Sequence, residues 1–454
     1  MTSSFLDILK ANFVEGELID YYYIQDESHI AYIEQLIQNT KVPIAIDLET
    51  YPNFEVCSKL EGKIDINRAA LDPYLALVRL IQINFLGNVC PIVIDVKKIG
   101  KEKTIPIIKG IESVHSSVDV ISHNAAFEYM MILSNWNVRL YNIKDSLTAA
   151  YTNNVSTGWK ASKIRGSSLK DLARDYFHIV LDKQEQLSDW SKEELSDSQK
   201  EYAALDVGAP RDYINPFTQK KMTSLVIELY ELMFYIASEF HHQSEAFLLD
   251  QQLVPLMAHS RYIGMPVNLK LLEVMNKHFL ELKEKATISI CKELGLKLSR
   301  TLVLEDGKPK SKIVIPDYIS KKLNDSKGLL QIVNSIIQSD SLEDLKSASL
   351  ESELKRYEDL DSEEEEAFVK RNSKIINLIL EYRKYKKLLE DGLKYYKSIS
   401  PITQRIHAKI NVIGTSTSRM SSGGEGKTDK NNIQAISAKS VNLTLKEGIY
   451  FELD

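Results

Sequence analysis

Residues 42–50 read VPIAIDLET, and the fold is decided here. The run 42–48 is rich in β-branched and aliphatic residues, which favours a strand. Successive side chains of a strand alternate between its faces, so Asp47 and Glu49, two apart, leave the same face. Working outward, 77–85 (LVRLIQINF), 89–96 (VCPIVIDV) and 118–122 (VDVIS) read as further strands. Between and after them lie segments of helical period: 125–136 (AAFEYMMILSNW), 146–152 (SLTAAYT), 168–177 (SLKDLARDYF) and 192–207 (KEELSDSQKEYAALDV). Three strands in succession, followed by alternating strand and helix, predict an α/β domain with a mixed sheet.

The texture changes near residue 220. Long helical stretches follow at 224–240, 271–294 and 374–396. A polar, Gly- and Pro-marked break at 301–317 (TLVLEDGKPKSKIVIPD) predicts an exposed excursion. Beyond Pro401, 405–414 (RIHAKINVIG) reads as a strand, then comes a Ser/Thr/Gly-rich loop, and 448–454 (GIYFELD) is a strand pattern.

The chain has 454 residues, 44% hydrophobic and 26% charged, enough for about three domains and ample core. Collagen-like, disordered and disulfide-scaffold classes are excluded. No apolar run approaches the ~20 residues of a membrane span, and residues 1–20 lack a signal-peptide pattern. Cys57, Cys90 and Cys291 are odd in number and widely spaced, which predicts reduced thiols and a cytoplasmic setting. The net charge of −6 hides a strong asymmetry. Residues 340–366 carry twelve acids against three bases, whereas 370–409 carry eleven bases against three acids. An acidic insertion masks a basic segment suited to a polyanion.

Three further positions carry chemistry. Glu128 opens a helix just after a strand, and Tyr202 and Asp206 are four apart, neighbours on one helix face. Hard divalent ions take oxygen ligands from several elements. Two such ions ~3.5–4 Å apart can hold the attacking and leaving oxygens of a phosphoryl displacement. Asp47, Glu49, Glu128 and Asp206 suit that task, and the Tyr202 hydroxyl can orient the attacking water. An isolated D-x-E or Y-x-x-x-D means little, because acids end strands and open helices for solvation and dipole reasons. Their order along the chain gives them weight.

At these residues the chain resembles the DEDDy 3′–5′ exonucleases, the proofreading and RNase D-like superfamily. The resemblance extends over about 165 residues, through LVRLIQINFLGNVCPIVID and the approach SSLKDLARDYF…SDWSKEELSDSQKEYAALDV. It implies a ribonuclease H-like fold and two Mg²⁺ ions, with Mn²⁺ as a substitute. Asp47 would bridge both ions, Glu49 and Asp206 would complete the nucleophile-side site, and Tyr202 would position the water. Asn124 and Phe127 match the second motif as DNA contacts; its acid is commonly aspartate and here is Glu128. Asp145 matches a further acid often found nearby.

Later fragments resemble family A DNA polymerases. Residues 251–275 look like a thumb entry, with Gly264 in place and Asn268 for the usual Asp. LILEYRKYKKLL contains the E-Y-R…K-L pattern through Glu381, Tyr382, Arg383, Lys387 and Leu388. Thr415, Thr417, Arg419, Ser421 and Ser422 fit a primer-template segment, with Ser418 in place of Gly. Asn432 and Gln434 fit a further DNA-contacting element. Such donors meet phosphates and minor-groove acceptors without demanding a particular base. GGEGKT does not complete a phosphate loop, which would need Gly at Ser421.

The resemblance makes Asp454 a metal-binding aspartate of an incomplete polymerase site. It implies an N-terminal extension at 1–30, an exonuclease domain at 31–218, a helical thumb-like region at 219–400 and the start of a palm at 401–454. The chain is then expected to act on single-stranded 3′ ends and primer-template DNA, in a bacterial cell or phage-infected host. It is expected to polymerise only with a C-terminal polymerase fragment as partner. An RNase D-like RNA-processing enzyme and a decayed DNA-binding remnant are the alternatives.

Overall fold

The structure, a computed structural model, describes residues 9–156, 168–181, 184–305, 308–315, 321, 325–337, 342, 344–358, 366–415 and 417–423. The strand predicted over 42–48 is central and longer, β3 at Ile44–Pro52. It pairs antiparallel with β4 (Ala76–Phe85), and β4 pairs antiparallel with β5 (Ile92–Asp95). On its other edge β3 pairs in parallel with β6 (Val120–Ser122), and β6 with β7 (Ile143–Asp145). This is the expected ribonuclease H-like α/β arrangement.

Three strands were not legible in the sequence. β2 (Tyr21–Ile24) adds in parallel to β5, and β1 (Phe13–Val14) pairs antiparallel with β2. The sheet therefore takes in part of the segment before residue 31. β7 is only three residues long, too short to show a period of two.

Alternation sorts the residues of β3 onto two faces. Ile44, Ile46 and Leu48 join the core built with the helices Ile30–Asn39, Ile105–Val114 and Ala126–Trp136. Ala45, Asp47 and Glu49 face the opposite way, toward the Asp197–Val207 helix. The long Ser244–Ile263 helix also packs on this body. Its buried Gln251 accepts from Asp145 N (2.7 Å) and donates to Asp145 O (3.1 Å), extending the hydrogen bonding of the β7 edge.

The described residues up to Pro266 group with those from Ile399 onward, and Val267–Ser398 forms a second compact unit. In the second unit the helices Leu269–Glu293 and Glu366–Lys397 lie along one another, with Ser326–Ile337 and Ser347–Glu358 completing an apolar core around Ile290, Ile376 and Ile379. The expected excursion at 301–317 is instead largely a hairpin, Ser299–Glu305 against Lys308–Val314. The β-branched residues of these segments favour strand pairing over an irregular excursion.

The strand expected over 405–414 divides in two. Arg405–Ile406 pairs with Met265–Pro266, and Lys409–Asn411 with Ser421–Gly423. Gly264 explains the first pairing. Its φ is +73°, and a Cβ there would lie 2.7 Å from the His407 ring, so only glycine permits the approach. Cys57, Cys90 and Cys291 are free thiols. Among the described residues no helix is long and apolar enough to cross a membrane.

Candidate active site

Asp47, Glu49 and Asp206 converge: one carboxylate oxygen from each lies within 4.8 Å of the others. Strand alternation supplies the first two. Asp206 comes from the helix laid over that face, whose start is held by a capping box. Ser196 Oγ accepts from Gln199 N and Gln199 Oε1 accepts from Ser196 N, both at 3.1 Å. Such a cap contributes about 1 kcal/mol. Gln199 is itself buried and donates to Ser188 Oγ and the Asp189 carbonyl, which ties the helix to the preceding loop. One turn before Asp206, the Tyr202 hydroxyl stands beside its carboxylate.

Glu128 reaches the site from the first turn of the Ala126–Trp136 helix and meets Asp47 carboxyl to carboxyl, at hydrogen-bonding range. Asn124, with φ +72°, turns the chain into that helix, a conformation asparagine tolerates. Asp145, read as a further acid near the site, acts as its support. It is buried and accepts from the backbone N–H of Asn124 (2.7 Å), Ala125 (3.3 Å), Leu147 and Thr148, and from Thr148 Oγ1 (2.7 Å). It thereby fixes the turn that aims Glu128. Phe127 packs partly into the adjoining core.

Electrostatically the cluster is frustrated. Burial first, then the Glu128 carboxyl, raises Asp47 well above the ordinary carboxylate range. Glu49 is raised by burial and by Asp47, Asp206 and Glu128. Glu128, 2% exposed, is pushed up to about 8, mainly by burial. Tyr202 is raised by burial and by the charges of Asp206, Glu49 and Asp47, so its phenol keeps its proton at neutral pH. Like charges this close favour protonation unless a cation intervenes. The buried Glu128 Oε2 has no hydrogen-bond partner. An all-oxygen donor set, mutual repulsion and an orphaned carboxylate oxygen fit hard divalent cations.

Two features escaped the sequence reading. Arg79 and Asp95 form an ion pair of 2.7 Å, both side chains fully buried. Tyr23 donates to the same carboxylate (2.6 Å), and Arg79 also donates to the carbonyls of Lys192 (2.5 Å) and Glu193 (3.3 Å). The pairing register of β3 and β4 shifts between Glu49 and Thr50, which face Leu80 and Val78, so Arg79 is the extra residue of a bulge. The second is Gln82, directly opposite Asp47. The visible signal was a charge and two amides inside a mostly apolar strand.

The expected DNA contacts are distributed. Asn124 and Phe127 stand beside Glu128. Thr417 and Arg419 are exposed on the hairpin loop closed by Lys409–Asn411 and Ser421–Gly423. Gly414 N donates to Arg419 O, and Arg419 N to Thr415 Oγ1. Ser418, where glycine is usual, has φ +55°. Arg383 is half-buried on the Glu366–Lys397 helix of the second unit. Asn432, Gln434 and Asp454 lie outside the described residues.

Residues 55–212 match the sequence signature of the 3′–5′ exonuclease family. That span includes Glu128, Tyr202 and Asp206 and begins just after Asp47 and Glu49. No curated protein matches the chain. Among solved structures, the POL domain of Pol1 from M. smegmatis, in complex with DNA primer-template and dNTP, aligns with a TM-score of 0.57 at 14% identity. The alignment covers 91% of this chain and 56% of that one, and it is a likeness of fold. Brucella melitensis NrnC bound to pGG aligns at 18% identity over 52% of this chain and 90% of its own, with a TM-score of 0.36. The Aedes aegypti Nibbler EXO domain does so at 18% over 51% and 94%, also with 0.36.

Proposed function

We propose, from the match of residues 55–212 to the 3′–5′ exonuclease family, that the chain hydrolyses DNA from its 3′ end by two-metal catalysis, as the proofreading part of a replicative family A polymerase. The observation that carries the reading is the convergence of Asp47, Glu49 and Asp206 beside Tyr202. Asp47, Glu49, Asp206 and Glu128 would hold two Mg²⁺ ions, with Mn²⁺ able to replace them. Bound there, the ions supply positive charge at the scissile phosphate and lower the pKa of the attacking water.

The chain's own groups supply orientation. The Tyr202 hydroxyl, kept protonated beside Asp206, would donate to that carboxylate and offer its lone pairs to a water proton, which turns the water oxygen toward phosphorus. Asn124 and Phe127, at the mouth of the Glu128 helix, would hold the terminal nucleotides. Glu128 replaces the commoner aspartate yet comes alongside Asp47, which supports an intact rather than a decayed site.

The polymerase assignment draws on Gly264, Arg383, Thr417 and Arg419 and on the fold likeness to a POL domain. We assign the basic segment 370–409 and the Thr417–Arg419 loop to primer-template binding, with sequence-independent attraction to phosphates.

The purified chain should shorten 5′-labelled single-stranded DNA stepwise from the 3′ end when Mg²⁺ is added, and act more slowly on RNA of the same sequence. Asp47→Ala and Asp206→Ala should each lower the rate at least ~10³-fold, equivalent to about 4 kcal/mol of transition-state stabilisation, with an unchanged circular dichroism spectrum. Undiminished hydrolysis in either variant overturns the site, and faster cleavage of RNA overturns the choice of substrate.

A further inference from the structure

We propose that Gln82 is a positioning residue of the acidic site, whose side-chain N–H orients the Asp47 carboxylate when divalent cations are bound; the inference rests on the exonuclease reading. Gln82 is completely buried, yet neither Nε2 nor Oε1 has a hydrogen-bond partner. Each orphaned group costs about 1–3 kcal/mol. An amide retained under that penalty needs an acceptor that the cation-free arrangement does not present.

The register identifies that acceptor. Gln82 lies directly opposite Asp47 in the β3–β4 pair and opposite Val93 in the β4–β5 pair. Directly opposed residues of antiparallel strands share a face, with Cβ atoms ~4.5–5.5 Å apart. Two residues earlier on that face, Leu80 packs with Ala203 and Ala204. Two residues later, Asn84 Nδ2 donates to the carbonyls of Thr223 (2.7 Å) and Val207 (3.4 Å). Gln82 therefore lies between them, beneath the helical turn that carries Asp206 and across from Asp47.

Its neighbours along and across the sheet offer no free acceptor of their own. Leu80 and Val93 are apolar. Asn84 Oδ1 already accepts from Phe85 N (2.9 Å) and Asn88 Nδ2 (3.2 Å). The flanking backbone is committed to the sheet. Of the acids clustered on this face, Asp47 is the one directly opposite Gln82 in the register. A carboxylate shared between two cations must hold one rotamer, and a fixed N–H on its free lone pair selects that rotamer. Groups that orient metal ligands in this way typically contribute 10- to 100-fold in affinity.

The test uses Mn²⁺ as the probe, measured by the loss of its free electron paramagnetic resonance signal, on the wild-type chain and on Gln82→Met. The substitution keeps length and removes the amide. The variant should need about tenfold more Mn²⁺ for half-saturation, while its cation-free melting temperature stays equal or rises because two orphaned atoms are gone. The deficit in DNA hydrolysis should vanish at saturating Mn²⁺. Equal affinity in the two proteins overturns the role of Gln82. Failure of the wild type itself to bind Mn²⁺ would instead overturn the exonuclease site. A crystal structure of the wild type with Mn²⁺ decides the matter even if the variant does not fold. Gln82 Nε2 should lie ~3 Å from an Asp47 oxygen, and an Nε2 bonded elsewhere or still orphaned ends the proposal.

Discussion

Tyr202 shows how much one hydroxyl is asked to do. It sits partly buried, its ring 6.3 Å from that of Trp190, with the carboxylates of Asp206, Glu49 and Asp47 around its oxygen. Those charges prevent ionisation, so the group can act only by hydrogen bonding. Tyr202→Phe removes the oxygen and leaves ring packing and acids untouched. We expect kcat on single-stranded DNA to fall about 10- to 100-fold, the usual cost of losing orientation of a reacting group. The Mg²⁺ concentration for half-maximal rate should stay the same, because a phenol that keeps its proton is a poor ligand beside carboxylates. A metal titration of both proteins checks this, and a shifted midpoint with an unchanged maximal rate would make Tyr202 a ligand instead.

At the scale of elements, the site is a junction of one strand, two helix ends and the loop before one of them. The Asp197–Val207 helix is placed by its capping box and by Arg79, which grips the carbonyls of Lys192 and Glu193 from the bulge beside Glu49. The helical period within 192–207 was legible in the sequence. The partner of Arg79 was not, because a bulge reverses the alternation from which side-chain direction is read. Arg79→Leu strands the buried Asp95 carboxylate and should destabilise the protein by about 3–5 kcal/mol in urea unfolding. Replacing both, Arg79→Leu with Asp95→Leu, should recover most of that loss, since paired removal leaves no unpartnered charge. A double variant no more stable than the single one would show that the clamp on 192–193, rather than the ion pair, holds the helix.

The whole molecule should register the crowded acids in its pH dependence. Glu128 has its folded pKa raised from 4.5 to about 8, and Asp47 and Glu49 are raised as well. Below about pH 4.5 these groups are protonated in folded and unfolded chains alike and contribute nothing. Between about 4.5 and 8 the unfolded chain releases protons that the folded chain retains, so stability falls as pH rises. Without divalent cations the melting temperature should therefore drop between pH 5 and 8, and Glu128→Gln should flatten part of that drop. Added Mg²⁺ should raise the melting temperature more at pH 8 than at pH 5, because the cations compete with protons for the same oxygens. Scanning calorimetry across that range checks both trends. A cation effect independent of pH would mean that Mg²⁺ binds somewhere other than these acids.

The amino-acid sequence by itself determined directions. A period of two put Asp47 and Glu49 on one face of β3, a spacing of four stacked Tyr202 over Asp206, and apolar runs marked four of the seven sheet strands. Those are local consequences of backbone geometry, and they need no partner. Only tertiary packing decided distances. It brought Asp206 within 4.8 Å of residues some 160 positions earlier, turned Asp145 from an expected site acid into the support of the Glu128 turn, and buried Gln82 across from Asp47. Strand register and helix docking set such separations through contacts between remote segments, and no local pattern records which segments will meet.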